Sequence, residues 1–176
     1  MNQDITQPIE PFLKNLLSSL DAQYNSPGQS FTNVESYATQ FGSSLKREAA
    51  IIVNGTPIVP SQVEDAKLQF QKKWLSMPNS SHQLTSFDCH LIPGTNTFII
   101  NFSARVKFDQ SGKNRLGESA DLIQQNSIVK TVRPIWGSWF GVNGILVIDS
   151  NLNGQEIINS FDYRFTYVPK DTTLVV

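Results

Sequence analysis

The chain has 176 residues, of which 39% are hydrophobic and 16% charged, enough for one domain with a sizeable core and short for two. Its formal net charge of −1 excludes a global field that would attract nucleic acid or an anionic membrane. One cysteine, Cys89, excludes an internal disulfide and favours a reducing compartment. Since the sequence shows neither a signal peptide nor a run of about 18 apolar residues, we expect an intracellular protein without membrane insertion.

Three amphipathic helices are predicted in the N-terminal half. The first has apolar residues at three- and four-residue spacing over Ile9–Leu20. The second is predicted to begin at a capping box of Thr32 and Glu35, and the third at a capping box of Ser61 and Glu64. The predicted apolar stripes of these two helices are Val34, Tyr37, Ala38 and Phe41, and Val63, Ala66, Phe70 and Trp74.

Strand signals begin between the second and third helices. The Asn54-Gly55 dipeptide lies between β-branched residues and predicts a two-residue hairpin turn, because a type I′ turn needs positive φ at both central positions. This turn places short strands at about 49–53 and 56–59. After Pro78 the apolar period changes from about 3.6 to 2, which predicts four longer strands in an antiparallel meander.

Alternation assigns the side chains of this meander to two faces. Apolar area rimmed by charge is typical of a protein interface, and Trp139, Ile145 and Val147 are predicted to form such a patch on the second face. A solvated sheet face is the alternative interpretation. The predicted core face carries Phe98, Phe102, Phe108, Phe140, Phe161, Tyr163, Phe165 and Tyr167. The predicted interface face carries Asn101, Ser103, Arg105, Lys107, Trp139, Asn143, Ile145, Val147, Asp162, Arg164 and Thr166.

A polar segment at 109–134 interrupts the meander and is too long for a hairpin turn, which is typical of a functional or disordered loop. Four basic side chains minus three acidic ones leave a net charge of +1, a thin basis for binding phosphates. An RNA or ribosome contact through this loop therefore stands beside the hypothesis of a solvated loop. The basic residues are Lys113, Arg115, Lys130 and Arg133, and the acidic ones are Asp109, Glu118 and Asp121.

No pattern in the chain predicts catalysis. Asp88, His90 and His82 are predicted to point outward, whereas a general acid or base would have to lie inside the domain. Asp88 and His90 are also two potential metal ligands without a third. The sequence contains no Gly-rich phosphate loop, zinc spacing or nucleophile elbow. We therefore expect no catalytic site, no metal and no cofactor.

The chain resembles the nuclear transport factor two-like fold in "IIVNGTPIVP", "SQVEDAKLQFQKKW", "FDCHLIPG" and "NFSARVKFD". Within that fold it is similar to the mRNA transport regulator family, the small subunits of the fungal mRNA export receptor. The most specific resemblance lies in "CHLIPGTNTFIINFSARVKFDQSGKNRLGESA" and "RPIWGSWFGVNGILVID".

The resemblance implies an α+β cone, in which three N-terminal helices pack on a strongly curved, mainly antiparallel sheet of about six strands. It implies a single domain over residues 1–176, with an inserted loop at about 109–134. The family is non-catalytic and heterodimerises through the open sheet face with a large TAP-type subunit. Arg164 in "DYRFTY" matches an arginine that, in the metazoan counterpart, bonds a carboxylate of the partner.

For function, the resemblance implies transport of mRNA, and in fungi of the large ribosomal subunit, through nuclear pores by binding Phe-Gly nucleoporins. The inserted loop is associated in the family with cargo contacts. The expected localisation is the nucleus and nuclear pore, with shuttling to the cytoplasm. Two alternatives are a homodimeric, transport-factor-like cargo binder and a cone-cavity enzyme of the dehydratase or isomerase type.

Overall fold

The structure is a computed structural model that describes residues 4–24, 31–111, 115 and 134–174. Within these residues it contains three helices and six strands. The helices are α1 (Ile9–Leu20), α2 (Val34–Ala38) and α3 (Ala66–Leu75). The strands are β1 (Leu45–Val53), β2 (Thr56–Pro57), β3 (Ser80–Ile92), β4 (Thr97–Phe108), β5 (Phe140–Asp149) and β6 (Ile158–Tyr167).

The six strands form one sheet in the order β2-β1-β6-β5-β4-β3. Strands β3 to β6 make the predicted antiparallel meander, and β1 pairs with β6 in parallel. Helix α1 packs on β3 and α3 packs on β1, while the short α2 contacts α3. These contacts confirm an α+β fold with helices on one face of a mainly antiparallel sheet, and no helix of the described residues packs on the other face.

The predicted hairpin turn is confirmed. Asn54 and Gly55 have φ angles of 49° and 79°, so both central positions adopt the left-handed conformation that the dipeptide favours. The amide of Asn54 donates to the Tyr163 carbonyl at 2.8 Å, and its Oδ1 accepts the Phe165 amide at 2.8 Å. The turn thereby ties the β1–β2 hairpin to the side of β6.

The predicted start of α3 is wrong. Asp65 caps this helix by accepting the amide of Leu68 at 2.8 Å, so the cap lies four residues after Ser61 and the helix begins at Ala66. The Ser61 hydroxyl instead accepts the Glu64 amide at 3.1 Å within a separate turn. Val63 is 90% exposed as a consequence and does not belong to the buried stripe.

The cap predicted for α2 is displaced by one residue. Asn33, not Thr32, accepts the amide of Ser36 at 2.7 Å. Val34 is exposed, whereas Tyr37 is fully buried and orients the short helix toward the core.

Alternation along the meander places the predicted phenylalanines in the core, where Phe98, Phe102, Phe108, Phe140 and Phe161 are buried together with Tyr163. Phe165 is half-buried, and Tyr167 is 60% exposed, contrary to the prediction. The register between β5 and β6 shifts between Gly141 and Val142, so an irregularity moves Tyr167 out of the core phase.

Gly144 leaves room in β5 for the ring of its cross-strand neighbour Phe102, because a Cβ at this position would overlap that ring. We expect Gly144→Ala to lower the free energy of unfolding by about 2 kcal/mol, measured by urea denaturation. Replacing Phe102 by Leu in the same chain removes the ring and is expected to reduce the cost of the alanine. Equal costs in the two backgrounds would contradict the steric explanation.

Candidate protein interface and a buried polar network

The face of the sheet opposite α1 and α3 is here called the open face. In β4 and β5 its residues alternate with buried core residues, as predicted. Cross-strand register then arranges the open face in rows across β4, β5 and β6. The predicted residues that lie on it are Asn101, Ser103, Arg105, Lys107, Trp139, Asn143, Ile145, Val147, Asp162, Arg164 and Thr166.

An apolar strip crosses one half of the open face. Ile145 is 38% exposed and pairs with Asn101, and the next row contains the half-buried pair Ile99 and Val147. Ile99 is not among the predicted interface residues, although alternation with the buried Phe98 and Ile100 places it on the open face. Three aliphatic side chains on two adjacent rows form one apolar area, a feature that is typical of protein contact surfaces.

A polar row lies next to this strip, with Ser103, Asn143 and Arg164 in register across the three strands. The Asn143 side chain donates to Asn101 Oδ1 at 3.0 Å and to the Phe102 carbonyl at 3.2 Å. These bonds fix the amide orientation before any partner binds.

Arg164 forms an ion pair with Asp162 on its own strand. Its Nη2 lies 2.6 Å from Asp162 Oδ2, and its Nε lies 3.2 Å from Oδ1, so the two groups meet as a fork. The hydrogen bond and negative charge of Asp162 raise the pKa of Arg164, which therefore carries a full positive charge. The arginine side chain remains 49% exposed, and its orientation is fixed by the carboxylate.

Trp139 lies in a second cluster at the far end of the open face. The Arg105 guanidinium lies 4.2 Å from the centre of its ring, and the Lys107 ammonium lies 5.0 Å from it and 5.2 Å from the ring of Trp136. The row of Ser103 and its partners separates this cluster from the aliphatic strip. The prediction of one patch containing Trp139 together with Ile145 and Val147 is therefore wrong.

The edge strand β3 extends the open face. Asp88 pairs with Asn101 and His90 pairs with Ile99, and both are exposed, which confirms their predicted outward orientation. Within the described part of the chain, no group of three or more His, Cys, Asp or Glu side chains has the spacing to hold a metal ion. None of the described helices is long and apolar enough to cross a membrane.

The structure contradicts the predicted cargo role of Arg115. Its side chain is 1% exposed, and its Nη2 donates to Ser80 Oγ at 2.7 Å inside the domain. The guanidinium also lies 4.9 Å from the centre of the Phe41 ring and 5.6 Å from that of Trp74. A buried guanidinium cannot neutralise phosphates at the surface. The other three basic residues of the predicted loop contact, Lys113, Lys130 and Arg133, lie outside the described residues.

The base of the inserted segment lies in the described part of the chain. Asp109 is buried, and its Oδ1 accepts the amides of Ser111 at 2.9 Å and Ile135 at 3.0 Å. An isolated antiparallel bridge joins Asp109 to the half-buried Trp136. One carboxylate thus holds the two ends of the insertion together.

His82 also differs from its prediction, because its side chain is 0% exposed and points into the domain. The β3–β4 register shifts between Leu84 and Ser86, and this irregularity reverses the face to which the preceding residues of β3 point. His82 Nδ1 lies 2.6 Å from Asp21 Oδ1, and its Nε2 lies 2.7 Å from the Tyr163 hydroxyl.

Asp21, His82 and Tyr163 therefore make an acid–imidazole–phenol chain that is buried at His82 and Tyr163 and partly exposed at Asp21, the type of arrangement that catalysis requires. Burial raises the pKa of Tyr163 well above its ordinary value, so the phenol keeps its proton. Asp21 accepts two further hydrogen bonds, from Ser80 Oγ to its Oδ1 at 2.7 Å and from the His82 amide to its Oδ2 at 2.6 Å. All these groups are committed to one another, which favours a structural role.

A cleft of about 730 Å³ lies at the other end of β3 from His82. Its lining includes Ile5, Pro8 and Pro11 near the start of α1, and Leu91 and Phe98 near the β3–β4 turn. The buried acid–imidazole–phenol chain does not line this cleft, so the two features do not form a substrate site together.

A six-stranded mixed sheet with helices on one face, and an open second face, defines the class of nuclear transport factor two-like proteins. Nuclear transport factor 2 from Cryptosporidium parvum has this fold, with a TM-score of 0.53 at 11% identity over 94% of this chain and 98% of that chain. Identity at this level shows the shared fold alone.

The chain belongs to the family described as nuclear pore RNA shuttling protein Mtr2, whose model matches residues 3–176. It is 67% identical to mRNA transport regulator MTR2 of Candida albicans over 181 aligned residues, which cover all of both chains. It is 33% identical to mRNA transport regulator MTR2 of Saccharomyces cerevisiae over 72% of each chain. The sequence resemblance to this family is thereby confirmed, and the family assigns the chain to mRNA transport.

A crystal structure of the Candida albicans Mtr2–Mex67 M domain complex contains a chain that is 68% identical to this one. The two chains superpose with a TM-score of 0.85 over 96% of this chain and 100% of that chain. The open face described above therefore belongs to a protein whose relative has been solved together with another protein.

Proposed function

We propose that the chain is the non-catalytic small subunit of a heterodimeric nuclear mRNA export receptor, and that its open face binds the large, TAP-type subunit. The observation that supports this most directly is the combination of the aliphatic strip with the fixed cation of Arg164 on a face without a helix layer. Apolar area beside an oriented arginine provides both burial and a geometrically specific bond. The complex formed by the Candida albicans relative with the Mex67 M domain supports the same partner class.

Co-expression with the middle domain of a TAP-type subunit tests this proposal. Light scattering after size exclusion is expected to give one complex with one copy of each chain. A stable homodimer that does not exchange with the large subunit would instead support a homodimeric cargo binder and overturn the proposal.

The proposal includes localisation in the nucleus and at the nuclear pore, with shuttling to the cytoplasm. The family description as a nuclear pore RNA shuttling protein supports it. Binding of Phe-Gly nucleoporins is assigned to the heterodimer and not to this subunit alone, because the described residues of the open face are needed to bind the large subunit. Binding of a Phe-Gly peptide by the purified complex, and not by either subunit alone, is the expected result of a pull-down.

Cargo contact through the inserted segment, with mRNA or the large ribosomal subunit, now depends on Lys113, Lys130 and Arg133, since Arg115 is buried. We expect Lys113→Glu to reduce salt-dependent crosslinking of the heterodimer to ribosomal RNA. Lys14, an exposed residue of α1 paired with Glu10, provides the control variant Lys14→Glu. Equal crosslinking by both variants and the parent would remove Lys113 from the proposal.

A further inference from the structure

The side chain of Arg115 occupies a defined pocket whose walls come from three separate parts of the chain. Phe41 follows α2, Trp74 lies in α3, and Ser80 begins β3. The guanidinium lies beside both aromatic rings and donates to the serine hydroxyl at 2.7 Å. Aromatic faces and a hydroxyl acceptor are the groups that recognise a planar cation.

Negative charge lies directly behind the serine. Ser80 Oγ donates to Asp21 Oδ1 at 2.7 Å, so the hydroxyl that accepts from Arg115 is itself polarised by a carboxylate. The backbone of Arg115 is also held, since the Tyr37 hydroxyl lies 3.3 Å from its carbonyl oxygen. Asp21 and Tyr37 therefore complete the pocket on its polar side.

Volume alone does not explain an arginine in this pocket. Burial of a cation is costly, and the Nε and Nη1 atoms of Arg115 have no hydrogen-bond partner among the residues that the structure describes. An aliphatic side chain of similar length would fill the same space without that cost. The contacts that offset the cost here are those specific to a planar, delocalised cation: two rings and a carboxylate-polarised hydroxyl.

We infer that Phe41, Trp74 and Ser80, supported by Asp21, form a guanidinium-binding site that the chain fills with its own Arg115. The ligand class is a monosubstituted guanidinium, which is the head group of an arginine side chain. The site goes beyond the proposed function and does not depend on it, because it requires no partner subunit. Its role is to fasten the inserted segment to the domain at Arg115.

Chemical rescue tests the site. In the full chain, Arg115→Ala is expected to lower the Tm by roughly 5 °C. Low-millimolar N-ethylguanidinium is expected to raise the Tm of this variant by about 2 °C, because a ligand that binds only the folded state stabilises it. The parent chain, whose site is occupied, is expected to show no such rise.

Two matched compounds test whether the charge alone or the planar shape alone is enough for rescue. Ethylammonium has the charge without the planar fork, and N-ethylurea has the planar shape without the charge, so neither is expected to rescue Arg115→Ala. Adding Ser80→Ala to the variant is expected to reduce the rescue by N-ethylguanidinium. Equal effects of the three compounds, or equal effects on variant and parent, would overturn the site.

If Arg115→Ala does not fold, refolding experiments still test the site. Refolding from urea with N-ethylguanidinium, ethylammonium or N-ethylurea present is then compared by the recovery of tryptophan fluorescence. Recovery with N-ethylguanidinium alone supports the site, and recovery with none or with all three contradicts it.

Discussion

Arg164→Glu is expected to raise the Kd of the heterodimer by about thirtyfold or more, because it removes an oriented cation from the proposed interface and puts a second carboxylate beside Asp162. The side chain is half-exposed, so the Tm of the chain alone is expected to stay within about 2 °C of the parent. Affinity by titration calorimetry and Tm by thermal denaturation give the two measurements.

Arg47→Glu is the matched control, since it makes the same charge change at an exposed position of β1. Arg47 lines a cleft with Lys67 and Gln71 of α3, on the helix-covered side of the sheet. The Kd of the heterodimer that contains Arg47→Glu is expected to remain within about threefold of the parent value. If both variants weaken the complex equally, net charge and not the geometry of Arg164 determines affinity.

Arg164 is already oriented on the open face before a partner binds. A flexible arginine loses side-chain entropy when it binds, whereas Asp162 already holds this one in a forked bond. Asn143, in the same row, has its amide fixed by Asn101 and the Phe102 carbonyl. The polar groups of the proposed interface are thus preorganised beside an aliphatic strip that supplies the burial.

The sheet was predictable because its signals are local and repeated. A one-residue slip in β4 would expose six buried positions at once, so alternation specifies the face of every residue in that strand. The Asn54-Gly55 turn was equally clear, since few other residues adopt positive φ twice in succession. The open-face positions of Asn143, Ile145 and Arg164 followed from this alternation.

His82 was misplaced because β3 changes phase within a polar stretch. Around the irregularity at Leu84 and Ser86, the residues are serine, threonine and glutamine, which do not distinguish an inner from an outer face. Leu84 is the single apolar residue of β3 before the shift, whereas Phe87 and Cys89 after it alternate with polar residues and assign a phase. A single irregularity therefore moved a histidine from the predicted surface to the interior.

Arg115 could not have been placed from its own segment. Its surroundings in sequence are polar and contain glycine, which is typical of a surface loop. The groups that bury it, Phe41, Trp74 and Ser80, are distant in the chain and converge only in the folded domain. Charge counting treats every charged residue as exposed, whereas both Arg115 and Asp109 of this segment are buried.

Asp21→Ala is expected to lower the free energy of unfolding by about 3 kcal/mol, and therefore the Tm by about 6–12 °C. The carboxylate accepts from Ser80 Oγ, from the His82 amide and from His82 Nδ1. Its loss removes the acceptor of both His82 groups and leaves Ser80 Oγ only the Leu20 carbonyl at 3.3 Å. It also removes the negative charge behind Arg115, which leaves a buried cation uncompensated. Urea denaturation and thermal denaturation of the full chain measure both quantities.

Asp4→Ala removes a carboxylate of the same kind from an exposed position, where it accepts from the amide and hydroxyl of Thr6. Its expected cost is below about 1 kcal/mol, since water replaces those bonds. Asp21→Asn keeps an acceptor oxygen but loses the charge, and it is expected to fall between the two alanine variants. If Asp21→Asn matched the parent, hydrogen bonding alone would account for Asp21, and the buried guanidinium of Arg115 would not depend on the carboxylate behind Ser80.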